Sequence, residues 1–290
     1  DLPMLARTHG QPAGPTVFGK EILVFASRLK RQTGILKKIE ISAKLNGATG
    51  NWNAHVAAYP KINWVKFSEE FLKNLNLAPN LLTTQIECHD SYVESFDAFK
   101  RINTILLDFN QDIWRYISDD WIVQKPKEGE IGSSTMPHKI NPIFFENSEG
   151  NLGIANALFE FFARKLPVSR LQRDLSDSTV ERNMGIALAH SFVAYEYLLN
   201  GLSRIVVNET KVTEALLAHP EVIAEAIQTI LRREGEPMPY EQLKELTRGK
   251  EVSLEDIHAF INNLKVSEKV KKELLQLTPL NYTGLASKLV

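Results

Sequence analysis

The chain has 290 residues, enough for one large domain or two ordinary ones, each with a full core. Its 43% hydrophobic and 24% charged residues belong to a folded globular protein, and a net charge of −1 leaves no electrostatic case for nucleic acid or an anionic membrane. A single cysteine, Cys88, permits no intrachain disulfide and fits a reducing compartment, so a cytoplasmic protein is expected. No apolar run is long enough to span a bilayer.

In chain order the elements are mostly helical. Val17–Leu45 carries Ile22, Phe25, Leu29, Leu36 and Ile39 at helical spacing, and NGATGNWN (Asn46–Asn53) then breaks the chain with two glycines. A short helix is expected from Ser68, with that serine as its cap. In Ser91–Trp121 the apolar residues Phe99, Ile102, Leu106, Phe109, Ile113 and Tyr116 alternate steps of three and four, which predicts a long helix with a coiled-coil-like seam. Asn147–Leu166 reads as helix again. Thr179–Val207 reads as a third long helix, apolar round much of its circumference and therefore expected to be buried. Past Asn208 the texture changes to short helices broken by HPE, REGEPMPYE and TRGKEVS. That change divides the chain into a bundle domain, residues 1–205, and a C-terminal helical domain, residues 206–290. Strands are expected to be minor.

Four polar stretches interrupt the helices. RTHGQPAGPT holds His9 next to Thr8 in a presumed loop, where an isolated histidine is most often a surface residue. TTQIECHD holds Gln85, His89 and Asp90 just before the long helix, with Thr84 and Glu87 spaced as a capping box. Neighbours in sequence do not share a helix face, so no metal ligand set is expected from His89 and Asp90. GSSTMPHKINP crowds Ser133, Ser134, His138, Lys139 and Asn141 between turn-forming residues. A lysine and an asparagine two apart can converge on one carboxylate, the first as a point charge and the second as a donor. SRLQRDLSDSTVERN brings Arg170, Arg173 and Arg182 to a helix start at Thr179, with Ser178 and Glu181 spaced as a second capping box. That arrangement suits either a solvated helix cap or a phosphate site.

The GSSTMPHKINP stretch resembles the signature loop of the fumarase/aspartase superfamily. The histidine before the lysine, together with RTHGQPA, TTQIECHD, LPVSRLQRDLSDSTVERN, PYEQLKELTRGK and LTPLNYTG in order, resembles the bacterial type of the adenylosuccinate lyase family. The resemblance runs through the whole chain. It implies an all-α fold, a long-helix bundle of the fumarase/aspartase type with a smaller C-terminal helical domain, assembled as a homotetramer with shared active sites. It implies a β-elimination that releases fumarate from adenylosuccinate, giving AMP, and from the related succinyl-carboxamide ribotide SAICAR. His9 is then the acid for the leaving nitrogen, and Ser133 the base, with Ser134 as the alternative. Lys139 and Asn141 stabilise the negative charge that develops. Thr8, Gln85 and Asn147 hold the substrate, and Arg173, Ser178, Thr179 and Arg182 its phosphate end. No metal or organic cofactor is implied, and no nucleic-acid or membrane partner. Chains of this family carry a region before the THGQPA motif with a second histidine and a Thr-Ser-rich segment, so an N-terminally shortened central domain is expected. Two other readings stay open: a carboxymuconate cycloisomerase-like member, which lacks a phosphorylated substrate, and a non-catalytic helical scaffold.

Overall fold

A computed structural model describes residues 1–126, 136, 139–141, 142–237, 241, 243 and 252–290. The fold is all-α in class, with six short strands among the described residues arranged as three two-stranded ribbons. The chain divides into two compact units, and neither is continuous in sequence. One comprises Asp1–Ala26, Ser118–Val123 and Val206–Val290; the other comprises Ser27–Ile117 and Gln124–Ile205.

The first unit is built on a hairpin. Strands β1 (Pro3–Thr8) and β2 (Gln11–Val17) pair antiparallel, with a bulge between Met4 and Ala6. Thr8 faces Gln11 across the ribbon, and His9 and Gly10 make the two-residue turn between them, both with positive φ (53° and 74°). Turns of that kind match the twist of the flanking strands, and they favour glycine at the second position. Met4, Leu5 and Val17 are buried. Helix α8 (Glu209–Leu217) lies on β1 with Val212 and Leu216 fully buried, and its N-terminus is capped by the side chain of Asn208. Helix α9 (Ala224–Arg233) adds Ile227 and Leu231 to the same core. A later helix, Leu254–Asn263, starts with a complete capping box between Ser253 and Asp256.

Helix α1 (Phe18–Leu36) begins in the first unit and continues into the second. It stops nine residues short of the expected Leu45. Ser42–Ala43 (β3) instead pairs in parallel with Ala78–Pro79 (β4). No residue of α1 is buried, so its apolar stripe is only half covered within the chain. Two shorter helices follow, α2 (Asn53–Ala58) and α3 (Trp64–Asn74). The expected serine cap is not there. Asn63 caps α3, and Ser68 sits buried inside the helix, donating to the Leu45 carbonyl at 2.6 Å and accepting from Trp52 Nε1 at 2.9 Å.

The second unit is a bundle of α4 (Asp90–Ser118), α5 (Ile143–Lys165) and α7 (Met184–Leu202). On α4 the seam residues Ile102, Leu106, Phe109 and Ile113 are buried, and Phe99 stacks on Phe159 of α5. Phe96, Ala155, Phe159, Phe162, Leu166, Val180 and Ala187 form one core cluster. Two buried polar pairs fix the register of the helices: Asn103 Nδ2 donates to Ser191 Oγ and Asn110 Nδ2 to Ser148 Oγ, each at 2.9 Å. Gly201 lets α7 close on α5, since a Cβ there would stand 2.9 Å from the Phe145 ring.

The stretch expected as one helix over Thr179–Val207 is three elements: α6 (Ser176–Glu181), α7 and a short strand, Ile205–Val207. The expectation that it is buried holds for one face only. Ala187, Ser191, Ala194, Leu198 and Gly201 are inside, while Phe192 and Leu199 are more than 60% exposed. Uniform hydrophobicity here does not mean burial within one chain.

Candidate active site

In the first unit, His9 and Thr8 sit exposed at the tip of the hairpin. The Arg7 guanidinium donates to the Gly10 carbonyl at 3.3 Å and closes the turn beneath the imidazole. The stretch expected as a plain loop is therefore the tip of a hairpin, and His9 takes the positive φ that such a two-residue turn requires.

The second unit gathers the Gln85 segment and the arginine-rich segment. The Gln85 amide donates to the Gln172 carbonyl at 3.2 Å, and Arg173 Nη1 donates to Gln85 Oε1 at 3.4 Å. Arg173 also lies 4.0 Å from the buried carboxylate of Asp177. Ser178, Thr179 and Arg182 follow on α6 and its C-terminal end, Thr179 and Arg182 exposed.

Neither capping box read from the sequence forms. At α6 the helix starts at Ser176, and Ser178 donates its amide to Asp177 Oδ1 at 2.6 Å. Asp174 takes the organising role: its carboxylate accepts from the hydroxyl and amide of Ser176 and from the amide of Arg170. Those bonds, the Ser176 hydroxyl foremost, push its pKa down to about 2. At α4 the helix starts at Asp90, and Glu87 accepts from the His89 amide at 2.7 Å instead of completing a box with Thr84. Burial alone would raise the Glu87 pKa. Bonds from Asn80 and the His89 amide hold it below the usual carboxylate range. The Cys88 thiol is pushed up to about 11, by burial first and then by its acidic neighbours, which keeps it protonated and unreactive near neutral pH.

Glu181, read from the sequence as a cap residue, bonds His89 at 2.8 Å. His89 is buried, adopts φ 65°, and has no partner at its other ring nitrogen. With Asp177 the two make a compact group of a histidine and two carboxylates. The Arg173 guanidinium beside Asp177 supplies positive charge to that group from within the protein.

Of the signature stretch, Ser133, Ser134 and His138 lie outside the described residues. Lys139 is exposed, its amide bonded to the Met136 carbonyl at 3.0 Å. Gln124 Nε2 donates to the Ile140 carbonyl at 2.8 Å and holds the segment leading into α5. Asn141 precedes that helix, and Asn147 lies exposed in its second turn. Hydrogen bonds join Gln85 to Arg173, but none among the described residues joins either to Lys139, Asn141 or Asn147.

Comparison with known proteins places the chain. A family profile described as Lyase matches residues 1–156, more than half of the sequence. The chain belongs to the lyase family. A second profile, described as Adenylosuccinate lyase C-terminal, matches residues 169–283. The chain is 54% identical over 290 residues to a protein of Legionella pneumophila (strain Corby) named adenylosuccinate lyase, and 52% identical over 290 residues to the Escherichia coli (strain K12) protein of that name. Each match covers all of this chain and 64% of the relative, so the chain spans about two thirds of the length of these proteins. The Dictyostelium discoideum adenylosuccinate lyase is 53% identical over 292 residues, covering 98% of this chain and 62% of its own. Among solved structures, the 3-carboxy-cis,cis-muconate lactonizing enzyme of Pseudomonas putida shares the fold, with a TM-score of 0.75 at 20% identity over all of this chain and 65% of that one. The motif resemblance and the family matches agree.

Proposed function

We propose that this lyase catalyses the β-elimination of fumarate from adenylosuccinate, giving AMP, and the same cleavage of SAICAR. The observation that carries the reading is identity above one half, along the whole chain, with proteins of that name. The likeness to the lactonizing enzyme, at 20% identity, speaks to the fold alone.

The reaction removes a proton from the carbon beside one succinyl carboxylate. The electron pair of that C–H bond becomes the new C=C bond of fumarate, and the C–N bond breaks with its pair going to nitrogen. In this reading Ser133 is the base, or Ser134 in its place. The carbanion spreads its charge into the adjacent carboxylate, and Lys139 and Asn141 stabilise the charge there, because cations and donors fixed in advance need no reorganisation as it develops. His9, held at the tip of a braced turn, gives the leaving nitrogen its proton. Gln85, Thr8 and Asn147 hold the substrate. Arg173, Ser178, Thr179 and Arg182 take the phosphate, a role suited to a charged, solvent-facing cluster of donors.

The same reading gives the exposed apolar faces a partner. Leu23, Val24 and Ile35 on α1 and Phe192 and Leu199 on α7 are exposed within one chain, and further copies of the chain would cover them. A homotetramer whose sites combine residues of different copies is the assembly proposed, in the cytoplasm. Among the described residues, no helix is long and apolar enough to cross a membrane.

The test offers the intact protein adenylosuccinate and the same compound without its phosphate, following the loss of ultraviolet absorbance. Fast turnover of the first and poor use of the second is expected. Equal use of both would overturn the phosphate assignment, and turnover of neither would overturn the reading.

A further inference from the structure

Gln85 sits in a segment, Asn80 to His89, that has neither helix nor strand to hold it. Its side chain is exposed, as a ligand-facing group must be, so its aim depends on whatever fixes the backbone beneath it. The Gln172 carbonyl accepts from the Gln85 backbone N–H and Arg173 donates to Gln85 Oε1; the rest of the support comes from the glycine-broken stretch Asn46–Asn53 and the lysine before it.

Lys44 Nζ donates to the carbonyl of Gln85 itself at 2.6 Å and to the carbonyl of Gly47 at 2.8 Å. One ammonium thus ties the turn to the residue it braces. Asn46, 1% exposed, donates through Nδ2 to the Leu81 carbonyl at 3.2 Å and to Thr83 Oγ1 at 2.8 Å, and Thr83 Oγ1 donates back to Asn46 Oδ1 at 3.2 Å. The Asn46 carbonyl meanwhile accepts from the Trp52 amide at 2.7 Å, which closes the turn. Gly50 completes the fit. It has φ 84°, and a Cβ at this position would stand 2.0 Å from the Thr83 carbonyl oxygen and 3.0 Å from that of Thr84. Only a residue without a side chain lets the two backbones lie this close.

We propose that Lys44, with Asn46 and Gly50, is a positioning residue for the lyase reaction, acting through Gln85. The proposal rests on the reading that Gln85 contacts substrate. Lys44 does not touch the reacting atoms; it sets where the Gln85 amide points. Lys44 bonds the segment at the Gln85 carbonyl, Asn46 at the Leu81 carbonyl and Thr83 Oγ1, and Gly50 lets the turn lie against Thr83, so the segment is held at several points although it has no regular structure.

The test is a double-mutant cycle in the intact protein, read as kcat/KM for adenylosuccinate. Gln85→Ala sets the scale. Lys44→Met keeps the aliphatic stem and removes the donor, and it is expected to cost about tenfold. Lys44→Arg, which restores donors, is expected to recover most of that loss. The deciding arm is Lys44→Met/Gln85→Ala, expected to be no worse than Gln85→Ala alone, because a residue that acts through Gln85 has nothing left to aim. Losses that multiply would overturn the proposal and make Lys44 either a direct substrate contact or a general structural support. Loss in Gln85→Ala with none in Lys44→Met would overturn it too, leaving the Gln85 reading intact. No loss in Gln85→Ala would remove that reading, and the proposal with it. Where Lys44→Met does not fold, Thr83→Val cuts the Asn46 anchor to the same segment and is judged by the same non-additivity with Gln85→Ala.

Discussion

His89 Nε2 and Glu181 Oε1 lie 2.8 Å apart, joining the residue just before α4 to the last turn of α6 across 92 positions of sequence. A carboxylate can only accept, so Nε2 carries the proton. The tie fixes α6, which carries the proposed phosphate contacts, to the start of the helix that follows Gln85. His89→Leu leaves Glu181 without its donor and removes a part-buried bond to a charged group, a change that costs about 1.5 kcal/mol. His89→Gln, which can still donate, should recover part of it. Urea denaturation of the two variants reads both effects. An unchanged midpoint in His89→Leu would show the contact to be incidental.

The acid role proposed for His9 sets a rate. His9→Ala should lower kcat by roughly two to four powers of ten, the usual worth of a positioned acid. Ser133→Ala should be comparably slow. If sites are shared between copies, mixing the two inactive variants under conditions of subunit exchange restores part of the activity, since some sites receive both intact residues. No recovery after proven exchange would count against shared sites and leave the reaction standing.

Arg173 should act on binding. Its guanidinium donates to Gln85 Oε1, lies 4.0 Å from the Asp177 carboxylate and is exposed, as the phosphate role proposed for it requires. Arg173→Ala should raise KM for adenylosuccinate with kcat changed little, the pattern of uniform binding. A fall in kcat at constant KM would move Arg173 from the phosphate to the chemistry.

Much of this was legible in the sequence, and what was not has physical causes. The seam of α4 follows from spacing alone, because Ile102, Leu106, Phe109 and Ile113 fall on one face of a helix whatever they pack against. The hairpin at His9 escaped detection. RTHGQPAGPT has four residues that usually mark loops, Gly10, Pro12, Gly14 and Pro15, and its strands are held by burial of Met4, Leu5 and Val17 and by the packing of β1 on α8, which lies about two hundred residues further on. The capping boxes failed for a related reason. Spacing nominated Glu87 and Glu181, but a carboxylate bonds the nearest donor in space. For Glu181 that donor was His89, which no local pattern connects to it. The Lys44–Gln85 contact is equally non-local, separated by 41 positions. The face of α7 misled in the opposite direction. Its apolar residues are real, but half of them point away from its own chain.

Asp174 gives the account a pH signature. Its folded pKa, about 2, lies below the ordinary aspartate value because the ionised form accepts from Ser176 and Arg170. Its contribution to stability is therefore complete above the unfolded-state pKa and is lost as pH falls towards the folded value. Between about pH 5 and about pH 3 the denaturation midpoint should fall less steeply in Asp174→Asn than in the parent protein. Parallel slopes would mean that the Ser176 bonds add nothing to stability.

Product analysis reads the elimination itself. The intact protein is incubated with adenylosuccinate, and fumarate and AMP are quantified separately over time. Fumarate and AMP are expected to appear together in equal amounts, with formation strongly slowed in Ser133→Ala and in Lys139→Ala. Consumption of adenylosuccinate without fumarate, or equal rates in the parent and Lys139→Ala, would contradict it.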